Sequence, residues 1–137
     1  MTEPLGHHEA LIYTMVTMSA VDRTMTDAEL ARIGEIVSNL PIFAEYDEER
    51  LVQTSETCGE ILGQANGLQQ VLQLIRSALP RKLRETAYAV ALEVAAADLN
   101  VRPEETRFLE MLGDSLELDK LTTAAIERGI RARNTVL

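Results

Sequence analysis

The chain has 137 residues, with 13 Lys or Arg and 22 Asp or Glu, which gives a formal net charge of −9. This length suits one domain, residues 1–137, with a single core, and the charge argues against nucleic acid or an anionic membrane surface as the main partner. Cys58 is the only cysteine, so a disulfide within the chain is excluded and a reducing, cytoplasmic compartment is expected.

Apolar residues recur at helical spacing along most of the sequence, and no useful length alternates with the period of a β-strand. The sequence therefore predicts an all-α fold, a single bundle of about seven helices. In chain order, the predicted helices cover about residues 5 or 8 to 21, 26–40, 47–62, 68–79 and 81–97, then one that begins at 103 and one from about 119 to 133. No apolar run is long enough to cross a membrane, and no signal peptide is expected.

Several predicted helix ends carry recognisable signals. Thr26 and Glu29 match a capping box, in which each side chain accepts a hydrogen bond from the backbone N–H of the other residue. Asp47 is a candidate N-cap for the third helix. Pro80 stops the fourth helix, because proline cannot continue one, and Pro103 suits the first turn of the sixth.

The sequence also contains an internal duplication with a shift of about 76 residues. Residues 10–40 and 86–116 share an apolar helix pattern that runs into an Asp, a short break, and a Glu seven positions further on. The acidic pairs are Asp22 with Glu29 and Asp98 with Glu105. Such a repeat predicts two helical hairpin halves related by a pseudo-twofold axis, each with one acidic pair. The four carboxylates could then meet on one surface.

The two aspartates of these pairs are placed where a carboxylate is unfavourable. Each follows the C-terminus of a predicted helix, where exposed carbonyl groups make a negative side chain cost about 0.3–1 kcal/mol. A divalent cation would reverse this cost, because hard cations prefer carboxylate and carbonyl oxygens. The alternative is structural, since loop aspartates commonly accept backbone hydrogen bonds and a first-turn glutamate is ordinary capping chemistry. Spacing alone leaves both interpretations open.

Three segments resemble the TerB tellurite-resistance family, and the resemblance covers nearly the whole chain: HEALIYTMV, SAVDRTMTDAELARIG and LPRKLRETAYAVALEVAAAD. The resemblance implies an all-helical bundle whose two halves carry acidic residues proposed to bind a divalent metal. On that basis the candidate metal ligands are Asp22, Glu29, Asp98 and Glu105. The cation would be calcium, magnesium or manganese, and no organic cofactor is expected.

The sequence departs from this family at the residue after each aspartate. Family members often have glycine there, whereas this chain has Arg23 and Leu99. Glycine would ease a tight turn of the backbone around an ion. We therefore expect stiffer loops and a lower metal affinity than a glycine-containing relative would have.

The resemblance further implies a non-enzymatic role in tellurite or metal stress, exercised through protein partners. A TerC-like integral membrane protein is one candidate partner, and a second copy of the chain is another. The former would hold the protein peripherally at the inner face of the membrane, without direct insertion. Tellurite itself is an oxyanion that these acidic residues would repel. The alternative function is a pure interaction module whose acidic face binds a basic partner without metal.

No enzyme motif is visible, since HExxH, the P-loop and a Gly-x-Ser-x-Gly elbow are all absent from the sequence. Cys58 lies in an apolar helix pattern that is typical of an inert core position. Gly59, Gly63 and Gly67 either form a face for close helix packing or break the third helix from the fourth.

A basic cluster surrounds Pro80 and is the only concentrated positive patch in this acidic sequence. Its members either bind an external acidic group or pair with acids of the same chain. The cluster consists of Arg76, Arg81, Lys82 and Arg84.

Overall fold

The computed structural model describes residues 5–21, 25–96 and 102–137. Within these ranges the backbone forms seven α-helices, three short 3-10 turns and no β-strand, which confirms the predicted fold class. The helices are α1 (His7–Ala20), α2 (Asp27–Asn39), α3 (Leu51–Leu62), α4 (Gly67–Ala78), α5 (Arg84–Ala95), α6 (Pro103–Ser115) and α7 (Lys120–Arg133). None of the helices in the described ranges is long and apolar enough to span a bilayer.

The central element of the bundle is α1. All of its residues from Ala10 to Ser19 are buried, and it contacts α2, α3, α4, α5 and α6. A helix that is apolar on every face is typical of one surrounded by other helices. Two of the hydroxyl groups in this stretch bond within the helix. Thr14 Oγ1 donates to the carbonyl of Ala10 at 2.8 Å, and Ser19 Oγ donates to that of Met15 at 3.1 Å.

The two helix pairs of the sequence repeat, α1–α2 and α5–α6, lie against each other. α1 packs along α5, and there are further contacts between α2 and α5 and between α1 and α6. α7 packs mainly on α5, and none of its residues is fully buried. The repeat therefore builds the core, while α7 covers one side of it.

The start of α3 differs from the prediction by one short turn. Asp47 Oδ1 accepts the backbone N–H of Glu49 at 3.1 Å, so Asp47 caps the 3-10 turn Glu48–Arg50. This turn leads directly into α3. The predicted cap is therefore present, but it stabilises the approach to the helix instead of its first α-helical turn.

A similar turn precedes α5. The sequence predicts a helix from residue 81, whereas Arg81–Leu83 forms a 3-10 turn in which the N–H of Leu83 donates to the carbonyl of Pro80 at 2.9 Å. The α-helical hydrogen bonds begin only after this turn, so α5 starts at Arg84. The predicted end of this helix, Ala97, lies outside the described residues.

A glycine break separates α3 from α4. Gly63 follows the last residue of α3, and Gly67 is the first residue of α4. A Cβ atom on Gly67 would lie 2.7 Å from the carbonyl oxygen of Leu62, closer than a carbon atom tolerates. No atom lies within 4 Å of a Cβ built on Gly59. The helix-breaking interpretation is therefore confirmed, and the close-packing interpretation is wrong at Gly59.

Two members of the basic cluster, Arg76 and Arg84, bind the end of α6. Arg76 donates to the carbonyl of Ser115 and, at 2.8 Å, to Glu117 Oε1. Arg84 donates to the carbonyl of Leu116 at 3.1 Å, and its Nη1 lies 3.8 Å from Glu117 Oε2. Carbonyl groups at a helix C-terminus carry partial negative charge, so both guanidinium groups are favourable there. Pairing within the chain is therefore confirmed for these two arginines.

Candidate metal centre

Glu29 is held at the start of α2 by a complete capping box. Its Oε1 accepts the backbone N–H of Thr26 at 2.9 Å and the Thr26 hydroxyl at 3.1 Å, and its own N–H donates to Thr26 Oγ1 at 3.1 Å. Glu29 is only 2 % exposed. All these bonds to the carboxylate use Oε1, so Oε2 receives no hydrogen bond from the described residues. The predicted capping box is confirmed.

Glu105 occupies the matching position in α6, the third residue of the helix. Its Oε1 accepts the backbone N–H of Arg102 at 2.9 Å, and Glu105 is 4 % exposed. An arginine side chain has no acceptor, so the reciprocal bond of a capping box cannot form here. Pro103 opens the helix, as predicted. Both repeats therefore bury a glutamate whose carboxylate binds the residue that precedes the helix.

The end of α1 lies close to the start of α6. A cleft of about 290 Å³ is lined by Val21 from the first side and by Glu104 and Phe108 from the second. Val21 directly precedes Asp22 in the sequence, and Glu104 directly precedes Glu105. The cleft therefore brings the chain segment that leads into the first acidic pair next to the helical turn that carries the glutamate of the second pair.

Asp22 and Asp98 lie outside the described residues, as do their neighbours Arg23 and Leu99. In the part of the chain that the structure describes, no three His, Cys, Asp or Glu side chains form a group that could hold a metal ion. That observation covers Glu29 and Glu105 but not the two aspartates. The four-residue metal site therefore stays a prediction.

Helix electrostatics assign different roles to the aspartates and the glutamates. Glu29 and Glu105 lie in first helical turns, where the macrodipole and the backbone N–H bonds stabilise a carboxylate without any cation. The same partial positive charge opposes a cation that approaches these residues. A metal ion at this place would therefore depend on further negative oxygens, which Asp22 and Asp98 are the candidates to supply.

Cys58 is part of the core. It is fully buried, and its Sγ lies 3.7 Å from Thr17 Oγ1. Burial raises the pKa of the thiol to about 11, an effect that the contact with Thr17 opposes. A thiol that stays protonated and out of contact with solvent is a poor nucleophile and a poor reductant. The predicted core position of Cys58 is confirmed, and its inertness stays a prediction.

A third buried glutamate lies inside α5. Neither the sequence repeat nor any motif identifies this residue. Glu93 is 8 % exposed. Its Oε2 lies 3.8 Å from Arg32 Nη1 in α2, and its Oε1 lies 3.4 Å from Arg133 Nη1 at the end of α7. The available signal in the sequence was a single acidic residue in the apolar run AYAVALEVAAA. The two arginines could not be assigned to it, since they are distant along the chain.

Fold and site together define an all-helical protein in which α2 and α6 each bury a helix-capping glutamate in the first turn. The chain belongs to the family described as tellurite resistance protein TerB, whose family model matches residues 8–128. The matched range begins in α1 and ends in α7, so it includes both repeats. Comparisons with curated proteins and with solved structures gave no significant match. The family resemblance of the sequence is therefore confirmed.

Proposed function

We propose that this TerB-family protein is a non-enzymatic module of the tellurite or metal stress response, built as one domain over residues 1–137, that binds a divalent cation. The cation is calcium, magnesium or manganese, and no organic cofactor takes part. Its ligands are Asp22, Glu29, Asp98 and Glu105. The bound ion supplies positive charge between the two hairpins, so that binding and folding of this end of the bundle become linked.

The observation that carries this proposal is the matched burial of Glu29 and Glu105. Both are third residues of their helices, both are less than 5 % exposed, and both use Oε1 to accept a backbone N–H. A twofold axis through the α1–α5 interface would exchange α1 with α5 and α2 with α6. The contact between α1 and α6 and the contact between α2 and α5 would then be equivalent. We propose that this pseudo-twofold axis relates the hairpins and brings the acidic pairs together.

The aspartates provide the stronger part of the proposed site. Each follows a helix C-terminus in the sequence repeat, where the helix macrodipole attracts a cation instead of opposing it. Carboxylate oxygens of Asp22 and Asp98 therefore bind the ion most strongly, and the glutamates complete its oxygen shell. Tellurite is not the ligand, because an oxyanion needs cationic side chains or unoccupied helix N-termini.

Isothermal titration calorimetry tests the proposal directly. Calcium, magnesium and manganese are titrated separately into the metal-free protein and into Asp98→Asn and Asp22→Asn variants. Asn keeps the size of Asp and removes the charge. The matched control is Asp114→Asn, because Asp114 is an exposed aspartate near the end of α6. We expect a saturable heat signal for the native chain and the control, and loss of that signal in both site variants.

Thermal unfolding provides a second reading of the same binding. A ligand present at one hundred times its Kd stabilises a protein by about 2.7 kcal/mol. An unfolding entropy of about 2 cal/mol/K per residue gives about 0.3 kcal/mol/K for 137 residues, so the expected rise in Tm is about 9 °C. A Tm that millimolar concentrations of all three metals leave unchanged, together with flat calorimetric titrations, would refute metal binding.

The proposed module acts through protein partners. A TerC-like integral membrane protein would recruit it to the inner face of the membrane from the cytoplasm, and a second copy of the chain would form a homodimer. Pull-down with a TerC-like protein and analytical ultracentrifugation, each with and without the metal that binds, test these partners. Metal-dependent capture or dimerisation would connect the ion to the stress response, and its absence would confine the ion to a structural role.

A second candidate function is docking of a basic partner without metal, and the surface around α3 favours it. Six acidic residues between positions 45 and 60 are exposed, whereas Arg50 is the only basic residue in this range. They are Glu45, Asp47, Glu48, Glu49, Glu56 and Glu60. Val52 lies among them and is 67 % exposed, an apolar contact point inside a charged rim. Binding of a basic partner that Glu56→Lys weakens while the metal-site variants do not would favour this function.

A further inference from the structure

A groove of about 890 Å³ lies between α2, α5 and the end of α7. Its walls are mainly apolar and include Ile36, Leu40, Ile42, Val90 and Ile130. The size and the apolar lining are those of small-molecule sites in proteins, which add a few polar groups to fix the orientation of the ligand. Neither Glu29 nor Glu105, the two proposed metal ligands within the described residues, lines the groove.

The polar groups of the groove gather around Glu93. Arg32 and Arg133 are the two cations that approach this buried carboxylate, at 3.8 and 3.4 Å. At Glu93 itself, two positive charges face one negative charge. Glu35 also lines the groove, so the formal charges of the whole lining balance, but no ion pair between Glu35 and either arginine is found among the described residues. An acidic chain therefore holds two arginines around one buried carboxylate, beside an apolar surface.

The pairing between these three residues is loose. Glu93 Oε1 is buried without a hydrogen bond, and the 3.8 Å separation at Oε2 is too long for one. No hydrogen bond from the guanidinium of Arg32 or Arg133 is found within the described ranges of the chain. Each guanidinium has five N–H donors, so both arginines retain the capacity to bind an anion. Arg133 has a 73 % exposed side chain and can turn toward a ligand.

The groove has a charged end and an apolar end. Arg32 of α2 lies next to Glu93 of α5, and from that point the lining residues continue forward along α2 to Leu40 and backward along α5 to Thr86. The two helices therefore run antiparallel along the groove. Eight residues of helix between Arg32 and Leu40 span about 12 Å. The apolar surface extends over this length, away from the arginines.

From this arrangement we infer that the groove binds an anionic amphiphile, a molecule with a single acidic head and an unbranched apolar tail. The head lies between Arg32 and Arg133, and the tail lies along Ile36, Leu40 and Val90. A monoanion gives the two arginines a second negatively charged partner beside Glu93, and the tail removes apolar surface from water. A medium-chain fatty carboxylate is the simplest ligand of this class.

Two other occupants fit the groove less well. A second copy of the chain would carry another net charge of −9 toward this surface, and long-range repulsion opposes that encounter. An anionic bilayer meets the same repulsion, and it presents a flat surface to a groove. A single small amphiphile brings only one charge and can enter lengthwise.

Binding can be measured by two-dimensional amide NMR with decanoate as the probe, kept below the concentration at which it forms micelles. We expect saturable shifts confined to α2, α5 and the end of α7, with an affinity at least about tenfold above those of acetate and decan-1-ol. Acetate has the head without the tail, and decan-1-ol has the tail without the charge. Equal binding of decanoate and decan-1-ol would overturn the proposal, as would the absence of decanoate shifts.

Variants locate the head group. The double variant Arg32→Gln/Arg133→Gln is expected to lower the decanoate affinity about tenfold or more, whereas Arg128→Gln, an exposed arginine of α7 outside the groove, leaves it unchanged. If the double variant fails to fold because Glu93 loses its cations, adding Glu93→Gln removes the buried charge and the same loss of affinity is expected. Unchanged affinity in either form would overturn the proposal. The proposal would also be overturned if the native protein did not bind decanoate but bound vesicles of anionic lipid.

Discussion

The capping box of α2 allows a direct test of what holds the buried carboxylate of Glu29. Thr26 and Glu29 exchange two backbone-to-side-chain hydrogen bonds, at 2.9 and 3.1 Å. Thr26→Ala removes an N-cap and should cost about 1 kcal/mol of unfolding free energy. Glu29→Ala leaves the backbone N–H of Thr26 without its partner in a half-buried loop, which should cost about 2 kcal/mol. With about 0.3 kcal/mol/K of unfolding entropy, the expected losses in Tm are about 3 and 7 °C.

The two residues are also expected to act as one unit. Each substitution already disrupts the reciprocal arrangement, so the double variant should lose less than the sum of the single losses, by about 0.5–1 kcal/mol. Urea unfolding in the presence of EDTA measures these values without any contribution from a bound cation. The control is Glu35→Ala, an exposed site in the same helix, which should stay within about 0.5 kcal/mol of the native chain.

Two results would refute this reasoning. A Glu29→Ala variant as stable as the control in EDTA would show that the capping bonds contribute nothing to the fold. Strictly additive losses would show that the two residues act independently. Repeating the series with the best-binding metal then separates the roles of Glu29, because only a metal ligand gains additional stability from the ion.

Three further predictions concern other parts of the fold. Gly67→Ala should destabilise the protein by more than about 1 kcal/mol, because the new Cβ atom would press on a backbone carbonyl. Gly34 lies inside α2 with open space around it, so Gly34→Ala should stabilise the protein by about 0.5–1 kcal/mol. Chemical unfolding of both variants measures these changes. Cys58, whose pKa is raised to about 11, should resist a thiol reagent at pH 8 until urea unfolds the chain, and rapid labelling of the native protein would contradict its burial. The hydrogen bond and charge of Arg76 lower the pKa of Glu117 from its ordinary value of 4.5. This contact should therefore stabilise the protein at neutral pH and lose its effect on acidification. Glu117→Gln should be less stable than the native chain at pH 7 and equal to it near pH 2.

Local patterns predicted the helices well because their ends depend on neighbouring residues. The capping box at Thr26 and the helix start at Pro103 both appear where the sequence places them. The errors are of the same local kind. Single turns before α3 and α5 adopt 3-10 geometry, and the balance between i+3 and i+4 hydrogen bonding is too fine for a sequence pattern to resolve.

The candidate site was only partly accessible to the same reasoning. The duplication identified Glu29 and Glu105 as equivalent residues, and both are buried helix-capping groups. Whether they converge with the aspartates depends on how α1, α2, α5 and α6 cross, which no local pattern encodes. The groove around Glu93 could not be predicted from the sequence for a related reason. Its charged residues come from α2, α5 and α7, and only tertiary packing brings them together.

The completely buried central helix has a consequence for biosynthesis. Ala10 to Ser19 have no water-compatible face, and their principal neighbour, α5, ends at Ala95. About 75 residues must therefore be translated after α1 before the part of its apolar surface that α5 covers can be buried, which takes about 4–15 s at typical ribosome speeds. During that interval this surface is exposed and can promote aggregation. Changes that delay the docking of α5 should therefore lower the cellular yield of the protein more than they lower the stability of the folded chain.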